Sequence, residues 1–119
     1  MTRINVVPPE ELHSKHLVAE YRELPRVFKL AEKAWARGDW QAPQEYTLGS
    51  GHVKFFYSRL GFCRSRFQSL VTEMLLRGFN PQHLDTPTAD VPDLWLSDWV
   101  PTPESIFINR ERIQQRKPK

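Results

Sequence analysis

The chain has 119 residues, a hydrophobic content of 39%, a formal charge of +3 and a single cysteine. This length supports one domain with one modest core. A mean hydropathy of −0.57, with no apolar run of about 18 residues, argues against a membrane protein. The amino terminus also lacks the apolar stretch of a secretory signal. We therefore expect a cytoplasmic monomer with one domain over residues 1–119 and no membrane partner.

Helical periodicity dominates the sequence, and no segment alternates with the period of a strand. The predicted fold is therefore all-α, a compact single domain of three main helices with long irregular connections. The first helix is expected to begin at Pro9 or Ser14 and to end near Arg37. It should be kinked near Pro25, because proline removes one backbone hydrogen bond from the helix interior.

The second helical region is predicted over residues 52–77, after a loop rich in Gly, Pro and Ser over residues 38–51. A break in this region is expected near Gly61. Gly78 follows the last apolar positions and has the place of a C-terminal glycine, which ends a helix in the left-handed conformation.

The last part of the chain combines a long connection with the third helix. The connection covers residues 79–101, and a segment of this length is usually functional or packed onto the core. We interpret Trp95 and Trp99 as anchors to the core rather than as base-stacking groups. The third helix should follow an N-cap at Thr102 and continue to about Gln115.

The first helix carries a one-sided basic stripe. At about 100° per residue, five cations and no acid fall within one narrow arc of the helix. A solvated face usually mixes charges through i,i+4 pairs, so this arc indicates a phosphate-binding surface. Glu23 lies between the basic stripe and the apolar stripe. The members of the basic stripe are Lys15, Arg22, Arg26, Lys29 and Lys33.

The α-amine of residue 2 is a potential nucleophile. Removal of the initiator Met would leave a free amine on Thr2, and an ordinary α-amine pKa leaves roughly a third of it neutral near pH 7.5. A neutral amine can form a Schiff base with a sugar carbon, and a carboxylate such as Glu23 could shuttle protons. Because every amino terminus carries an amine, these residues alone favour the simpler interpretation, in which the amine is not catalytic.

A metal site is the other chemistry that the sequence offers. His13, His16 and Glu20 have the spacing of helical metal ligands, but such polar faces are common and no further ligand cluster accompanies them. The sequence contains no Walker A, GxGxxG, HExxH or CxxC pattern. We therefore predict no metal and no cofactor.

Several segments together match a known family pattern at corresponding offsets. On these segments the chain resembles the phage-type pyrimidine-dimer DNA glycosylases, also called phage-type endonuclease V. The resemblance covers most of the chain and is most specific in the first 28 residues. The matching segments are TRIN at 2–5, HL at 16–17, AEYRELPRVF at 19–28, LG at 48–49, GHV at 51–53, FFY at 55–57 and RGFN at 77–80.

The resemblance implies an all-α repair enzyme that excises cyclobutane pyrimidine dimers from double-stranded DNA and then nicks the abasic site. In this family the N-terminal α-amine, here on Thr2, attacks C1′ of the damaged nucleotide and displaces the base. The resulting imine undergoes β-elimination, and no metal is required. By position, Glu23 would be the essential carboxylate.

The DNA-binding residues come from the resemblance and from the basic stripe. The resemblance implies that Arg3, Arg22 and Arg26 grip phosphates near the lesion and that His16 lines the same site. The stripe adds three further cations that could contact phosphates: Lys15, Lys29 and Lys33.

Two alternatives stay open. The family pattern has Gln where this chain has Lys15, and the family's aromatic and basic tail has no match after Arg116. The same amine chemistry could therefore act on another damaged or modified base, or on abasic sites only. The second alternative is a non-catalytic DNA-binding protein on the same scaffold. Four matching residues argue against it: Thr2, Arg22, Glu23 and Arg26.

Overall fold

The computed structural model describes residues 4–116. No strand occurs within this range, so the predicted all-α fold is confirmed. The predicted site residues Thr2 and Arg3 lie outside the described range. The helices within it are α1 (Ser14–Ala36), α2 (His52–Phe55), α3 (Leu60–Leu76) and α4 (Pro103–Gln115), and two short 3-10 turns cover Pro9–Glu11 and Asp93–Leu96.

Helix α1 begins at Ser14, the later of the two predicted starts. Leu12 is extended and separates the Pro9–Glu11 turn from the helix. The His13 side chain caps α1 by accepting from the backbone N–H of Lys15 at 3.2 Å. The helix runs without interruption through Pro25, and the kink there stays a prediction. Its apolar side packs against α3, which makes these two helices the centre of the core.

The predicted break near Gly61 is confirmed, although it lies just before the glycine and not at it. The interruption covers residues 56–59, and Gly61 lies in the first turn of α3. Its backbone N–H donates to the Ser97 carbonyl at 3.1 Å, and a Cβ at this position would lie 2.9 Å from the same oxygen. Glycine is therefore required here because the segment that follows Asp93–Leu96 crosses α3 at backbone contact distance.

The long connection before α4 is packed onto the core, as predicted. Trp95 is buried and meets the Trp35 ring edge-on at 5.2 Å between centroids. Trp99 lies against Phe55 and Phe62, with ring centroids 5.0 and 5.2 Å away. The two tryptophans therefore anchor this segment among the aromatic side chains of the core.

The ends of the last two long helices match their predicted signals. Gly78 follows α3 with φ of 85°, and the Phe79 N–H donates to the Met74 carbonyl at 2.9 Å, which is the Schellman arrangement. At the start of α4, the Thr102 hydroxyl accepts from the Ser105 N–H at 3.0 Å. Within the described range, no helix combines the length and apolar character needed to cross a bilayer.

Candidate functional site

The basic stripe of α1 is a solvent-facing surface. Its five members are all exposed. Within residues 4–116, Arg26 is the only member with a carboxylate oxygen inside 4.0 Å, and that oxygen belongs to Glu23 at 3.6 Å. The remaining four members have no ion-pair partner in this part of the chain: Lys15, Arg22, Lys29 and Lys33.

Most cations elsewhere in the described range are neutralised by carboxylates. Two cations share Asp39, whose pKa is lowered chiefly by its hydrogen bond from Lys54 and further by Arg37. Of the seven cations in residues 4–116 that have no carboxylate partner within that range, four share one face of α1, and such a grouping is expected of a phosphate-binding surface. The other carboxylate pairs are Arg64–Asp85, Arg66–Glu20, Arg77–Glu73 and Arg110–Glu11.

Glu23 lies at the edge of this surface. Its side chain is 22% exposed, so a ligand can reach the carboxylate while much of it is sheltered from water. His16 is half-buried on the same helix. It precedes Glu23 by seven residues, which places the two side chains about 20° apart around the helix axis. Both predicted site residues therefore lie along one line on α1.

The N-terminal segment Ile4–Val7 is held in the interior of the domain. Every residue of the segment is buried. The Ile4 N–H donates to Nε2 of His52 at 3.1 Å, and the Tyr46 hydroxyl donates to the Ile4 carbonyl at 3.4 Å. Burial raises the pKa of Tyr46, so its hydroxyl stays protonated and remains a donor. The first described residue is thus bound through both of its backbone polar groups.

The His52 ring has a defined tautomer in this contact. Its Nδ1 lies 2.8 Å from the Thr47 carbonyl oxygen, which can only accept. Nδ1 therefore carries the hydrogen, and Nε2 presents its lone pair to the Ile4 N–H. This assignment fits both hydrogen bonds that the ring makes with residues 4–116.

The rest of the N-terminal segment belongs to a closed ring of buried hydrogen bonds. Asn109 of α4 accepts from the Val6 and Val7 N–H groups at 2.7 and 3.2 Å and donates to the Asn5 side-chain oxygen at 2.8 Å. Asn5 in turn donates to Glu20 at 2.8 Å.

Arg66 of α3 completes this ring. Its guanidinium binds the Glu20 carboxylate in a bidentate pair and also donates to the Val7 carbonyl. The N-terminal segment is therefore held by side chains of α1, α3 and α4 together. Because each buried polar group in the ring has a partner, the segment has one well-defined position.

Sequence reasoning missed four of the residues that hold this segment. For two of them the sequence does contain a signal, which is a polar residue at a position of a helix that faces the core. Arg66 lies between the buried Cys63 and Leu70, and Asn109 follows the buried Ser105 by four residues. The other two missed residues, His52 and Tyr46, lie outside the long helices, where periodicity gives no such signal.

The candidate metal ligands of α1 do not converge. Within residues 4–116, no three His, Cys, Asp or Glu side chains form a cluster able to hold a metal ion. Glu20 is instead occupied by Asn5 and Arg66, and the His13 ring caps α1. Glu20 and His13 therefore each bind a protein group, and they do not share a metal ion.

A sequence model of the pyrimidine dimer DNA glycosylase family matches residues 1–87 of the 119 residues. The matched range contains the N-terminal segment, the basic face of α1 with Glu23, and all of α3. Helix α4 lies outside it. Because the match covers well over half of the chain, this protein belongs to the pyrimidine dimer DNA glycosylase family and has the role of a DNA repair glycosylase.

Proposed function

We propose that this protein excises cyclobutane pyrimidine dimers from double-stranded DNA and then cleaves the strand at the resulting abasic site. The observation that carries the proposal is the exposed face of α1, where Glu23 pairs with Arg26 and where the other four cations have no carboxylate partner in residues 4–116. Phosphates of a duplex would supply the missing anions. A carboxylate at the edge of such a surface would then lie close to the sugars between the phosphates.

The dimensions of the basic stripe suit a duplex. From Lys15 to Lys33 the helix rises about 27 Å, which corresponds to about eight steps along one DNA strand. Arg22 and Arg26 lie near the middle of this length and flank Glu23 in sequence. We therefore assign Arg22, Arg26 and, beyond the described range, Arg3 to phosphates near the lesion, with His16 lining the site and the lysines to phosphates on either side.

The proposed nucleophile is the α-amine of Thr2 after removal of the initiator Met. Support for this assignment comes from Ile4, which is fixed through both of its backbone polar groups. Two residues of chain extend at most about 7 Å. The Thr2 nitrogen is thus tethered to a fixed point of the domain, and a positioned amine loses little further freedom when it meets the sugar.

The chemistry has two steps. The neutral amine attacks C1′ of the damaged nucleotide, the C1′–N glycosidic bond breaks, and opening of the sugar ring gives an imine between the protein and C1′. Loss of a proton from C2′ then expels the 3′ phosphate by cleavage of the C3′–O bond, and hydrolysis of the imine frees the amine. We assign Glu23 to stabilising the positive charge at C1′ and to moving the proton.

Borohydride trapping tests this proposal directly. The Met-processed protein is mixed with duplexes that carry one thymine dimer, one abasic site or no lesion, and adducts are mapped by mass spectrometry. We expect a covalent adduct on the dimer duplex, located at Thr2. The matched control is protein that retains Met1, in which the Thr2 nitrogen is an amide and no adduct should map to Thr2.

The other outcomes decide between the remaining functions. An adduct on abasic DNA alone would keep the amine lyase chemistry but remove the dimer specificity. Binding to the duplexes without any adduct, from protein that begins at Thr2, would overturn the enzymatic proposal and leave a DNA-binding protein.

A further inference from the structure

Helix α4 holds the N-terminal segment although it lies outside the part of the chain that matches the family. The contact is made by Asn109, whose side chain is 0% exposed. Its amide oxygen accepts from two consecutive backbone N–H groups, those of Val6 and Val7, at 2.7 and 3.2 Å. One side chain thus fixes the backbone immediately after Ile4 and Asn5.

The orientation of the Asn109 amide is determined by its neighbours. The Glu20 carboxylate accepts both from Arg66 and from the Asn5 amide nitrogen, so the Asn5 oxygen must point away from Glu20. That oxygen faces the Asn109 nitrogen at 2.8 Å. The Asn109 oxygen is therefore turned toward the backbone N–H groups, and the ion pair of Glu20 and Arg66 specifies this arrangement.

We infer that Asn109 is a positioning residue for the catalytic amino terminus. This inference rests on the proposed function, in which the Thr2 amine is the nucleophile. Asn109 contacts the backbone of this segment at Val6 and Val7, four and five residues after Thr2, so it acts on the amine through the backbone and not by direct contact. Its role is to keep the segment that carries the amine at one place relative to Glu23.

The chemistry of Asn109 explains why this role needs an amide. The two N–H groups require an acceptor and the Asn5 oxygen requires a donor, and Asn supplies both in one short side chain. Removing it would leave two backbone donors buried without a partner, and these groups would move toward water or toward new acceptors. A shift of about 1 Å in a reacting group can lower a rate by about 100-fold.

The test compares Asn109→Ala with Ser105→Ala. Ser105 is also buried on α4, one turn earlier, and its hydroxyl donates to the Thr102 carbonyl instead of hydrogen-bonding to the N-terminal segment. Both variants remove a buried polar group from the same helix. For each, the single-turnover rate of imine trapping is measured on a saturating abasic duplex, with the Kd for the duplex and the unfolding midpoint measured separately.

We expect the trapping rate of Asn109→Ala to fall by about 10- to 100-fold while its Kd stays within about twofold and the folded fraction is complete. Ser105→Ala should keep the wild-type rate even where its unfolding midpoint falls. The exchange of the Val6 and Val7 amide hydrogens should accelerate in Asn109→Ala alone. Should that variant fail to fold, Asn109→Ser, which keeps a polar group but loses its reach, provides the same comparison.

Two results would overturn the inference. A wild-type trapping rate in a folded Asn109 variant would show that the contact serves stability alone. An equal loss of rate in Ser105→Ala would show that the effect belongs to α4 in general. Trapping with the wild-type protein tests the proposed function separately. If wild-type protein gives no adduct, the Thr2 amine is not the nucleophile, and the inference about Asn109 fails with it.

Discussion

Glu20 and Arg66 form a bidentate ion pair inside the domain, with Nε to Oε2 at 2.8 Å and Nη2 to Oε1 at 3.1 Å. Their side chains are 1% and 6% exposed. The pair joins α1 to α3 directly beneath the N-terminal segment. Each charge is compensated only by the other and by amide and carbonyl groups of that segment.

Replacing one partner of this pair should be strongly destabilising. In Arg66→Met the Glu20 carboxylate stays buried without its counter-charge, and we expect the free energy of unfolding to fall by about 3–5 kcal/mol. Urea denaturation measures the difference. The matched control is Glu73→Gln, which breaks the i,i+4 pair with Arg77 on the same helix and should cost about 0.5 kcal/mol. Equal losses would contradict the special role of the buried pair.

Glu23→Gln should abolish turnover and preserve DNA binding. The amide keeps the size of the side chain but cannot accept a proton, and such catalysis contributes about 100- to 10,000-fold. Single-turnover nicking of dimer-containing duplex and fluorescence anisotropy measure the two properties. The control is Glu32→Gln on the same helix, whose carboxylate accepts from the Asp90 N–H. Unchanged nicking in Glu23→Gln would remove this residue from the mechanism.

Arg26→Ala should weaken DNA binding in a salt-dependent manner. Loss of one phosphate contact lowers the slope of log K against log salt by about 0.9. Arg64→Ala is the control, because the Arg64 guanidinium belongs to α3 and already pairs with Asp85, and its slope should match that of wild type. If both variants keep the wild-type slope, Arg26 does not contact phosphate.

Gly61→Ala should destabilise the protein, although alanine normally favours a helix by about 1 kcal/mol. The new methyl group would lie 2.9 Å from the Ser97 carbonyl oxygen, so the crossing segment must move. We expect a net loss of about 1–3 kcal/mol in unfolding free energy. Ser65→Ala, at an exposed site of the same helix, should be neutral or slightly stabilising. A more stable Gly61→Ala would mean that the crossing segment yields without cost.

The Cys63 thiol should react only in unfolded protein. It is fully buried, and burial raises its pKa, an effect to which the nearby Glu20 charge adds. At about pH 8 the unfolded thiol is partly ionised, whereas the folded thiol is not. Labelling with an aromatic disulfide reagent should therefore follow the urea transition. Rapid labelling without urea would contradict this.

The same pKa shift has a consequence for stability. The pKa of the Cys63 thiol is higher in the folded protein than in the unfolded protein. The stability that folding gains from the protonated thiol is therefore fully present below about pH 8.5 and is lost as the pH rises further. Cys63→Ala should therefore show a smaller decline of unfolding free energy above that pH than wild type does. If both proteins lose the same unfolding free energy above that pH, the loss is caused by groups other than Cys63.

Much of the fold could be predicted because helix signals are local. The cap at Thr102 and the terminal glycine at Gly78 depend on neighbours a few residues away, and both are confirmed. The break near Gly61 is also confirmed, but the glycine itself is required by a segment 36 residues later in the chain. The local rules interpret Gly61 as a residue that interrupts a helix, whereas its role is to let the backbone at Ser97 approach α3 closely.

The candidate site also has a part that could be predicted from local sequence and a part that could not. The basic stripe and Glu23 belong to a single helix, so their arrangement follows from helical geometry. The ring that holds the N-terminal segment joins Asn5 to Asn109 across 104 residues, and periodicity contains no information about which distant side chains meet. Arg66 carried a weak signal as a cation on an apolar face, but its partner could not be identified from spacing.

The link between Asn109 and the N-terminal segment also has a consequence for how the protein is made. Val6 is synthesised 103 residues before its partner Asn109. Unfinished polypeptides therefore lack the side chain that orders their own beginning. On the mechanism proposed above, a nascent chain cannot hold its amine in place until Asn109 has been synthesised and α4 has packed against the segment.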